Sequence, residues 1–213
     1  FNGDLIVGGA FTQAGGVAAT SIARWNGSTW SSMNNTASTT VGPFATFNGQ
    51  LHAASSTAVF RFTGTSWTQI PGTASGGGIL SMESFSNQLY VGGTFTSFGG
   101  ATGFRIARWN GTTWQEVANS GAVGASVRSL INLNNELLAG GEMSSFGGVA
   151  NTSNVARWNG TSWRSTVEGI EQGFSILALH SFNNEVVASG NFTRLGGTDV
   201  QNIARLDGSP WSA

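Results

Sequence analysis

Residues 106–114 read Ile-Ala-Arg-Trp-Asn-Gly-Thr-Thr-Trp, and four other stretches of the 213-residue chain follow the same pattern. The other copies cover residues 22–30, 59–67, 155–163 and 203–211. Their closing tryptophans follow one another at intervals of 37, 47, 49 and 48 residues. Self-similarity at such a period indicates that each repeat is one small unit of supersecondary structure.

The Asn-Gly pair in the middle of the pattern predicts a tight hairpin, because both central residues of a type I′ turn need a positive φ. A similar pair precedes each copy, at Asn2-Gly3, Asn48-Gly49, Ser86-Asn87, Asn134-Asn135 and Asn183-Asn184. Two hairpins per repeat predict four short antiparallel strands, which we name A to D. Strand A is predicted at 41–46, 79–84, 127–132 and 176–181, strand C at the Ile-Ala-Arg-Trp stretch, and strand D from the closing Trp.

Four-stranded antiparallel units that recur every 40–50 residues are typical of β-propeller blades. We therefore predict an all-β chain, a five-bladed β-propeller of four-stranded antiparallel blades in a single domain, residues 1–213. The predicted blades cover approximately 1–33, 41–70, 79–117, 127–166 and 176–213. The first blade lacks its innermost strand within this chain, so we expect another strand to close it, with strand exchange or association there as one route.

The repeats resemble kelch repeats. Kelch repeats carry a double Gly after strand B, an aromatic residue in strand C and a Trp that opens strand D, as in Gly92-Gly93, Trp109 and Trp114. The resemblance is greatest to the Gly-rich kelch-like arrays of secreted bacterial proteins, and the second repeat is degenerate because it has no double Gly. The resemblance implies the fold but little chemistry, since one fold serves many functions.

The amino-acid composition excludes some classes of binding partner. Charged residues make up 9% of the chain, and all nine basic residues are Arg. We therefore expect neither nucleic-acid binding nor a polybasic membrane contact. There is no Cys, and no apolar run reaches the roughly 18 residues of a membrane-spanning helix, so we expect no membrane insertion.

The longer loops predict where a ligand would bind. The tight A–B and C–D turns share one face, and the B–C and D–A loops, such as Thr12–Ser21 and Pro71–Gly78, share the opposite face. Function concentrates in variable loops on a rigid scaffold, so we expect a ligand on the long-loop face. The alternative is that these Gly-, Ser-, Thr- and Asn-rich loops are only solvated.

Two residue types recur at fixed repeat positions, namely the strand-C arginines Arg24, Arg61, Arg108, Arg157 and Arg205 and the eight tryptophans. The arginines could form an anion-binding ring, but a residue present in every repeat more often serves the repeat itself, donating to carbonyls between blades or stacking on Trp. Exposed Trp could stack on sugars, but we expect these rings to form the core between blades.

Glu83, Arg128 and His180 lie in strand A of three different repeats and are weak candidates for ligand binding in a central channel. A carboxylate, a guanidinium and an imidazole could perform acid–base chemistry, but they occupy unequal depths and have no repeated partner. His52 and His180 do not form a recognisable metal motif, and no nucleophile or phosphate-loop motif is present. We therefore expect no catalytic site, no metal and no cofactor.

These observations predict a non-catalytic binding or scaffold module of a secreted or cell-surface protein. Its ligand would be a glycan or an extracellular protein met by the long-loop face, with near-equivalent pockets between blades adding avidity. Two alternatives stay open: a structural segment of a larger repeat protein or filament, and a hydrolase or lyase with a site at the channel mouth.

Overall fold

The computed structural model describes residues 1–34, 41–102, 105–117, 123–166, 175–195, 197–206 and 211–212. Within these ranges the regular structure is all β-strand. None of the described residues forms a helix that could cross a membrane. The strands of the first half are β1 Leu5–Gly8, β2 Gln13–Ala14, β3 Val17–Ala18, β4 Ile22–Trp25, β5 Trp30–Ser32, β6 Phe44–Phe47, β7 Gln50–Ala54, β8 Ala58–Phe62, β9 Trp67–Ser75, β10 Ile79–Phe85, β11 Gln88–Gly93 and β12 Ser97–Phe98.

The second half of the chain continues the same sequence of strands without a helical break in its described part. Its strands are β13 Ile106–Trp109, β14 Trp114–Glu116, β15 Val123–Leu133, β16 Glu136–Ser145, β17 Val155–Trp158, β18 Trp163–Ser165, β19 Ser175–Phe182, β20 Glu185–Asn191, β21 Arg194–Leu195, β22 Thr198–Asp199, β23 Ile203–Leu206 and β24 Trp211–Ser212.

The described strands form five principal antiparallel sheets that follow one another along the chain. The first sheet has three strands in the order β1-β4-β5, and the second has five in the order β6-β7-β8-β9-β12. The third, fourth and fifth sheets have four strands each, in the orders β10-β11-β13-β14, β15-β16-β17-β18 and β19-β20-β23-β24. The predicted strands A to D are therefore present in the second to fifth sheets, and strands B to D in the first.

Small hairpins and one exchanged strand occupy the B–C loops, which the sequence pattern treats as plain connections. Strands β2 and β3 pair with each other, as do β21 and β22. Strand β12, from the B–C loop of the third sheet, instead pairs with β9 of the second sheet. The B–C loop thus ties one sheet to the sheet before it.

The hydrophobic core lies between successive sheets. Four clusters of buried residues fill the spaces from the first to the second sheet, the second to the third, the third to the fourth and the fourth to the fifth. The first strands β6, β10, β15 and β19 are neighbours in that order. The second, third and fourth sheets therefore have core clusters on both faces, which explains why their strands carry apolar residues on both sides. The first and fifth sheets each adjoin one of the described clusters, and apolar side chains such as Leu5 and Ile203 are exposed in them.

Four of the five strand-D tryptophans form part of this core, as the repeat pattern predicts, namely Trp67, Trp114, Trp163 and Trp211. In the fourth sheet Trp158 and Trp163 are directly opposite in the ladder, with ring centroids 5.2 Å apart. Trp67 and Trp114 each donate their indole N–H to a carbonyl of the preceding sheet or its following loop, Met33 O at 2.9 Å and Pro71 O at 2.7 Å. Six of the eight tryptophans are buried, and the two in the first sheet are half-buried.

The second Gly of the double-Gly pair has a steric explanation. A Cβ on Gly141 would lie 2.0 Å from the carbonyl oxygen of Ser126, and one on Gly190 would lie 2.0 Å from that of Ser175. The carbonyl belongs to strand A, whose register shifts by one residue close by. A side chain at this position would push strand A away, so the repeat uses Gly.

Candidate functional site

The strand-C arginines all occupy one row of the sheet ladder. Each is opposite a strand-B residue on one side, and these partners are Ile6, His52, Tyr90, Leu138 and Val187. Each is opposite a strand-D residue on the other side, and these partners are Ser31, Thr68, Gln115, Arg164 and Ser212. The row therefore crosses every principal sheet at the same level, close to the tight turns.

In four of the five sheets the guanidinium contacts the side chain at the start of strand B. The contacting pairs are Arg24–Asp4 at 3.7 Å, Arg108–Gln88 at 3.3 Å, Arg157–Glu136 at 3.1 Å and Arg205–Glu185 at 3.6 Å. These contacts support the structural interpretation of the arginines over the anion-binding ring. The partner, however, is a side chain of the same sheet, whereas we expected carbonyls between blades or Trp rings.

The fourth sheet shows this arrangement in its most buried form. Glu136 accepts hydrogen bonds from both Arg157 and Arg164, which lie opposite each other on neighbouring strands. Its side chain is only 10% exposed. The carboxylate therefore compensates two guanidinium groups in a partly dry environment, where an uncompensated charge would be costly.

In the third sheet an amide takes the place of the acid, and a chain of hydrogen bonds holds the guanidinium of Arg108 and its partner. The Gln88 side-chain oxygen accepts from Arg108 and from the Tyr90 hydroxyl at 3.2 Å. The same hydroxyl accepts from the Trp158 indole N–H of the fourth sheet at 3.2 Å. The hydrogen-bond chain that begins at Arg108 therefore ends on a residue of the neighbouring sheet.

The second sheet departs from this arrangement. Gln50 occupies the position of Asp4, Gln88, Glu136 and Glu185, but the described contacts include no hydrogen bond or ion pair from the exposed Arg61. His52 replaces the Ile, Tyr, Leu or Val found opposite the other arginines. Its ring is 2% exposed, its Nδ1 lies 3.1 Å from the Gln50 carbonyl oxygen, and it meets the Phe47 ring edge-on at 5.7 Å.

The surroundings of His52 disfavour a second positive charge beside Arg61. Burial lowers the pKa of the His52 imidazole below its usual value, and the nearby Arg61 guanidinium lowers it further, while the hydrogen bond to the Gln50 carbonyl opposes both effects. A neutral imidazole fits its buried setting, because burial disfavours the charged form. Arg61 is therefore the source of positive charge at this point.

A cleft of about 350 Å³ opens beside Arg61, between the second and third sheets. Its polar lining includes Asn48, Gln50, Arg61, Thr68 and Thr112. Phe47, Ile70, Pro71 and Trp109 supply apolar surface. Asn48 belongs to an A–B turn and Thr112 to a C–D turn, so the cleft opens on the tight-turn face.

A second cleft, of about 290 Å³, lies between the first and second sheets on the same face. Asp4 and Arg24 line one side and Thr63 lines the other. Here the strand-C guanidinium is already paired with a carboxylate. The two clefts are therefore alike in position and unlike in charge.

The channel candidates Glu83, Arg128 and His180 lie on the first strands β10, β15 and β19, and no described contact joins them. Arg128 forms an ion pair with Glu142 at 2.7 Å, and the His180 side chain is exposed. Glu83 and His180 occupy equivalent positions on either side of β15, where the matching residue is Ile131, and Arg128 lies three residues earlier. They do not form a constellation that could share a proton.

Glu83 is the acid of this group whose titration is perturbed. Burial raises the pKa of the Glu83 carboxyl, while hydrogen bonds from the backbone N–H groups of Ser84 and Asn132 oppose the rise. The Ser84 N–H lies 2.8 Å from Glu83 Oε1. No group of three His, Asp or Glu side chains within the described ranges could hold a metal ion, so His52 and His180 form no such cluster there.

Much of the long-loop face lies outside the described residues. The D–A loops 32–40, 118–126 and 167–175 fall there in large part. The prediction that a ligand binds on the long-loop face therefore stays a prediction. Sequence reasoning did not single out the Arg61 cleft, although the combination of Gln50 with His52 is a signal, since the third repeat, which also has a Gln at this position, has Tyr90 where the second has His52.

Comparisons with known proteins bear on the fold. Residues 86–111 match a sequence family described as a domain of unknown function (DUF5122) beta-propeller. None of the curated protein sequences compared with this chain matches it. The match covers strands β11 to β13 and agrees with the antiparallel sheets around them.

Among solved structures, the chain is similar to the extracellular domain of a B. thetaiotaomicron protein named as a hybrid two component system. The TM-score is 0.52 at 14% identity, over 81% of this chain and 21% of that chain. The chain thus spans about a fifth of that structure's length. At this identity the likeness concerns the fold alone. With the family match and the successive antiparallel sheets, it supports a β-propeller.

Proposed function

We propose that this chain is a non-catalytic binding module of a secreted or cell-surface protein, built as a five-bladed, kelch-like β-propeller. The observation that carries the proposal is the pair of open clefts between successive sheets, of about 350 and 290 Å³. Clefts of roughly 300 Å³ and above, with apolar surface and a few polar groups, are typical of ligand sites.

The sheets provide a rigid frame for these clefts. Each cleft has walls from two sheets, and the core clusters between the sheets fix the distance between those walls. Residues of the A–B and C–D turns line both clefts. A polymeric ligand could therefore contact two clefts of one molecule. Two weak contacts on one ligand add avidity when their spacing fits.

A glycan is the ligand class that best fits the lining of these clefts. Amide and hydroxyl side chains, such as Gln50 and Thr68, match the hydroxyl groups of a sugar, and apolar surface such as Pro71 matches its C–H face. An extracellular setting is supported by the likeness to an extracellular domain. A chain without Lys and with 9% charged residues is also consistent with that setting.

The clefts lie on the tight-turn face, so we place the first ligand site there. The long-loop face, favoured by the sequence pattern, is the alternative location. Two exposed glutamines distinguish the two faces, since Gln50 lies in the larger cleft and Gln201 lies in a B–C loop.

The test is a glycan-array screen of the whole chain, with size-exclusion light scattering on the same sample. We expect saturable binding to one class of sugar, weakened by Gln50→Ala and unchanged by Gln201→Ala. The reverse pattern would move the site to the long-loop face. Absence of binding by a folded, monodisperse sample would exclude a glycan-binding module.

A structural segment of a larger repeat assembly is the second candidate, and one observation favours it. Within the described residues, strand β1 pairs with β4 on one edge and with no strand on the other. An unpaired edge can accept a strand from another molecule. Concentration-dependent oligomers in the light-scattering experiment, without glycan binding, would support this candidate.

A further inference from the structure

Arg61, beside the cleft between the second and third sheets, differs from the other strand-C arginines in the contacts of its guanidinium. Asp4, Gln88, Glu136 and Glu185 each contact the arginine of their own sheet, whereas the described contacts of Arg61 include no hydrogen bond or ion pair with Gln50 or any other side chain. Arg61 is the only charged side chain among the residues that line this cleft in the described structure. A guanidinium beside an open cleft, without a protein carboxylate, is suited to bind a carboxylate of a ligand.

We propose that this cleft binds an acidic saccharide, with the sugar carboxylate on the guanidinium of Arg61. The inference rests on the proposed function and deepens it by naming the ligand class. Arg donors form a planar fork that matches a carboxylate in a bidentate manner. The Thr68 hydroxyl lies in the same ladder row as Arg61 and can support the same anion.

The rest of the lining favours a sugar acid over an acidic peptide. Around Arg61 the polar groups are amides and hydroxyls, from Asn48, Gln50 and Thr112, and these can serve several hydroxyl groups at once. The apolar surface of Ile70 and Pro71 adjoins them. A ring with hydroxyls at its edge, a C–H face and one carboxylate uses all three features. A run of acidic peptide side chains would use only the single guanidinium.

Buried, uncharged groups that line the cleft fix the strand opposite Arg61 and do not cancel its charge. His52, opposite Arg61 in the ladder, is buried and bound through Nδ1 to the Gln50 carbonyl. Phe47 packs on the His52 ring at 5.7 Å. Strand B is therefore fixed by uncharged contacts, and the guanidinium keeps its full charge for a ligand.

The test is calorimetric titration of the whole chain with trigalacturonate and with its methyl ester, which has the same shape without the negative charge. We expect trigalacturonate to bind and the ester to bind about tenfold more weakly or worse, since a charge-assisted hydrogen bond contributes on this scale. Arg61→Gln is expected to abolish the difference between the two ligands. The matched control is Arg205→Gln, an arginine at the same repeat position in the fifth sheet that lines neither cleft, and it is expected to leave binding unchanged.

Three results would overturn the inference: equal binding of acid and ester, unchanged trigalacturonate binding in a folded Arg61→Gln protein, or tighter Arg61-dependent binding of a triglutamate peptide. If one of these results occurs and a neutral sugar still binds without dependence on Arg61, the acidic ligand is refuted and the proposed glycan-binding function is kept. Absence of binding to any sugar on the array would instead refute the glycan-binding function itself. The two failures are therefore distinguishable.

Discussion

The second and fourth sheets come from the same repeat, yet their strand-C arginines have opposite environments. In the fourth sheet Glu136 accepts from Arg157 and Arg164 in a partly buried network. In the second sheet Gln50 replaces the acid, and Arg61 lies exposed beside the largest of the clefts described above. We infer from the comparison that an arginine common to all repeats is structural where a side chain of its own sheet binds it, as Glu136 binds Arg157, and is available for a ligand where no such partner is present, as at Arg61.

The two sheets differ in a second respect, at the double-Gly position. Gly141 of the fourth sheet lies against the Ser126 carbonyl, whereas Ser55 occupies the matching position of the second sheet. In the second sheet strand β6 pairs with β7 in an unbroken register from Phe44 to Phe47. Without the carbonyl contact, a side chain is tolerated there. The second repeat is therefore degenerate in sequence and also different in backbone.

The largest expected effect is at Gly141. Gly141→Ala places a Cβ 2.0 Å from the Ser126 carbonyl oxygen, so strand A must move and the free energy of unfolding should fall by about 3 kcal/mol. Urea denaturation measures this change. The matched variant Ser55→Ala removes only the hydroxyl that binds Ala58 and should cost about 1 kcal/mol. Equal costs at the two positions would show that the carbonyl contact does not explain the Gly.

Next in size is the loss of the carboxylate in the fourth sheet. Glu136→Gln leaves Arg157 and Arg164 facing each other without compensation, and we expect a loss of about 2 kcal/mol in unfolding free energy, measured in the same way. Glu185→Gln in the fifth sheet is the control. Its ion pair with Arg205 is longer, at 3.6 Å, and more exposed, so it should cost less than about 1 kcal/mol. A cost for Glu136→Gln as small as that of the control would refute the structural role of the network.

Burial of His52 predicts that the free energy of unfolding decreases at acid pH. The folded state lowers the pKa of this imidazole below 6.5, so the unfolded chain binds more protons as the pH falls. His52 therefore destabilises the fold increasingly from about pH 6.5 down towards its folded-state pKa. His52→Leu introduces the residue type that the fourth sheet has at this position, Leu138. The variant should lose less stability than the parent chain between pH 7 and pH 5; an identical loss in both would contradict burial as the cause.

The smallest expected effect comes from restoring the repeat's acid in the second sheet. Gln50→Glu supplies Arg61 with an exposed partner, so the melting temperature should rise slightly, by the equivalent of about 0.5 kcal/mol. The same change should weaken trigalacturonate binding, because the new carboxylate forms an ion pair with Arg61 and competes with the ligand for its N–H donors. Gln201→Glu adds the same charge on the other face and should not affect binding. Unchanged binding in Gln50→Glu would show that a carboxylate at position 50 does not occupy Arg61.

Local sequence features were sufficient to locate the strands and turns. The Asn-Gly and Asn-Asn pairs predicted the tight turns, and in the A–B turns Asn2, Asn48 and Asn134 adopt the positive φ that a type I′ turn requires. In the described C–D turns only the Gly has a positive φ, whereas the Asn, as at Asn110, accepts backbone N–H groups two and three residues further on through its Oδ1, so the type I′ prediction is wrong there. The closing Trp of each repeat opens its strand D as predicted, from Trp30 to Trp211. These features depend only on residues that are close together in the chain, and each of the five repeats carries them.

Contacts between distant residues were beyond the sequence pattern. The pairing of Ser97–Phe98 with the preceding sheet joins segments that have no shared motif. The partners of the arginines were also misassigned, because the residue that opens strand B approaches the guanidinium only when the ladder is in register. The Arg61 cleft needs two sheets at a fixed separation, so no single repeat contains it.

The sequence by itself determined that the chain is all-β, that its strands come in repeated antiparallel units, and that its tryptophans belong to the core. Those properties follow from local turn preference and from hydrophobic periodicity, which are carried by residues close together in the chain. The tertiary structure decided which strand-C arginines have a side-chain partner and that Arg61 faces a cleft without one. That outcome depends on the alignment of side chains across strands and on the distance between sheets, and both are set only when the whole chain has packed.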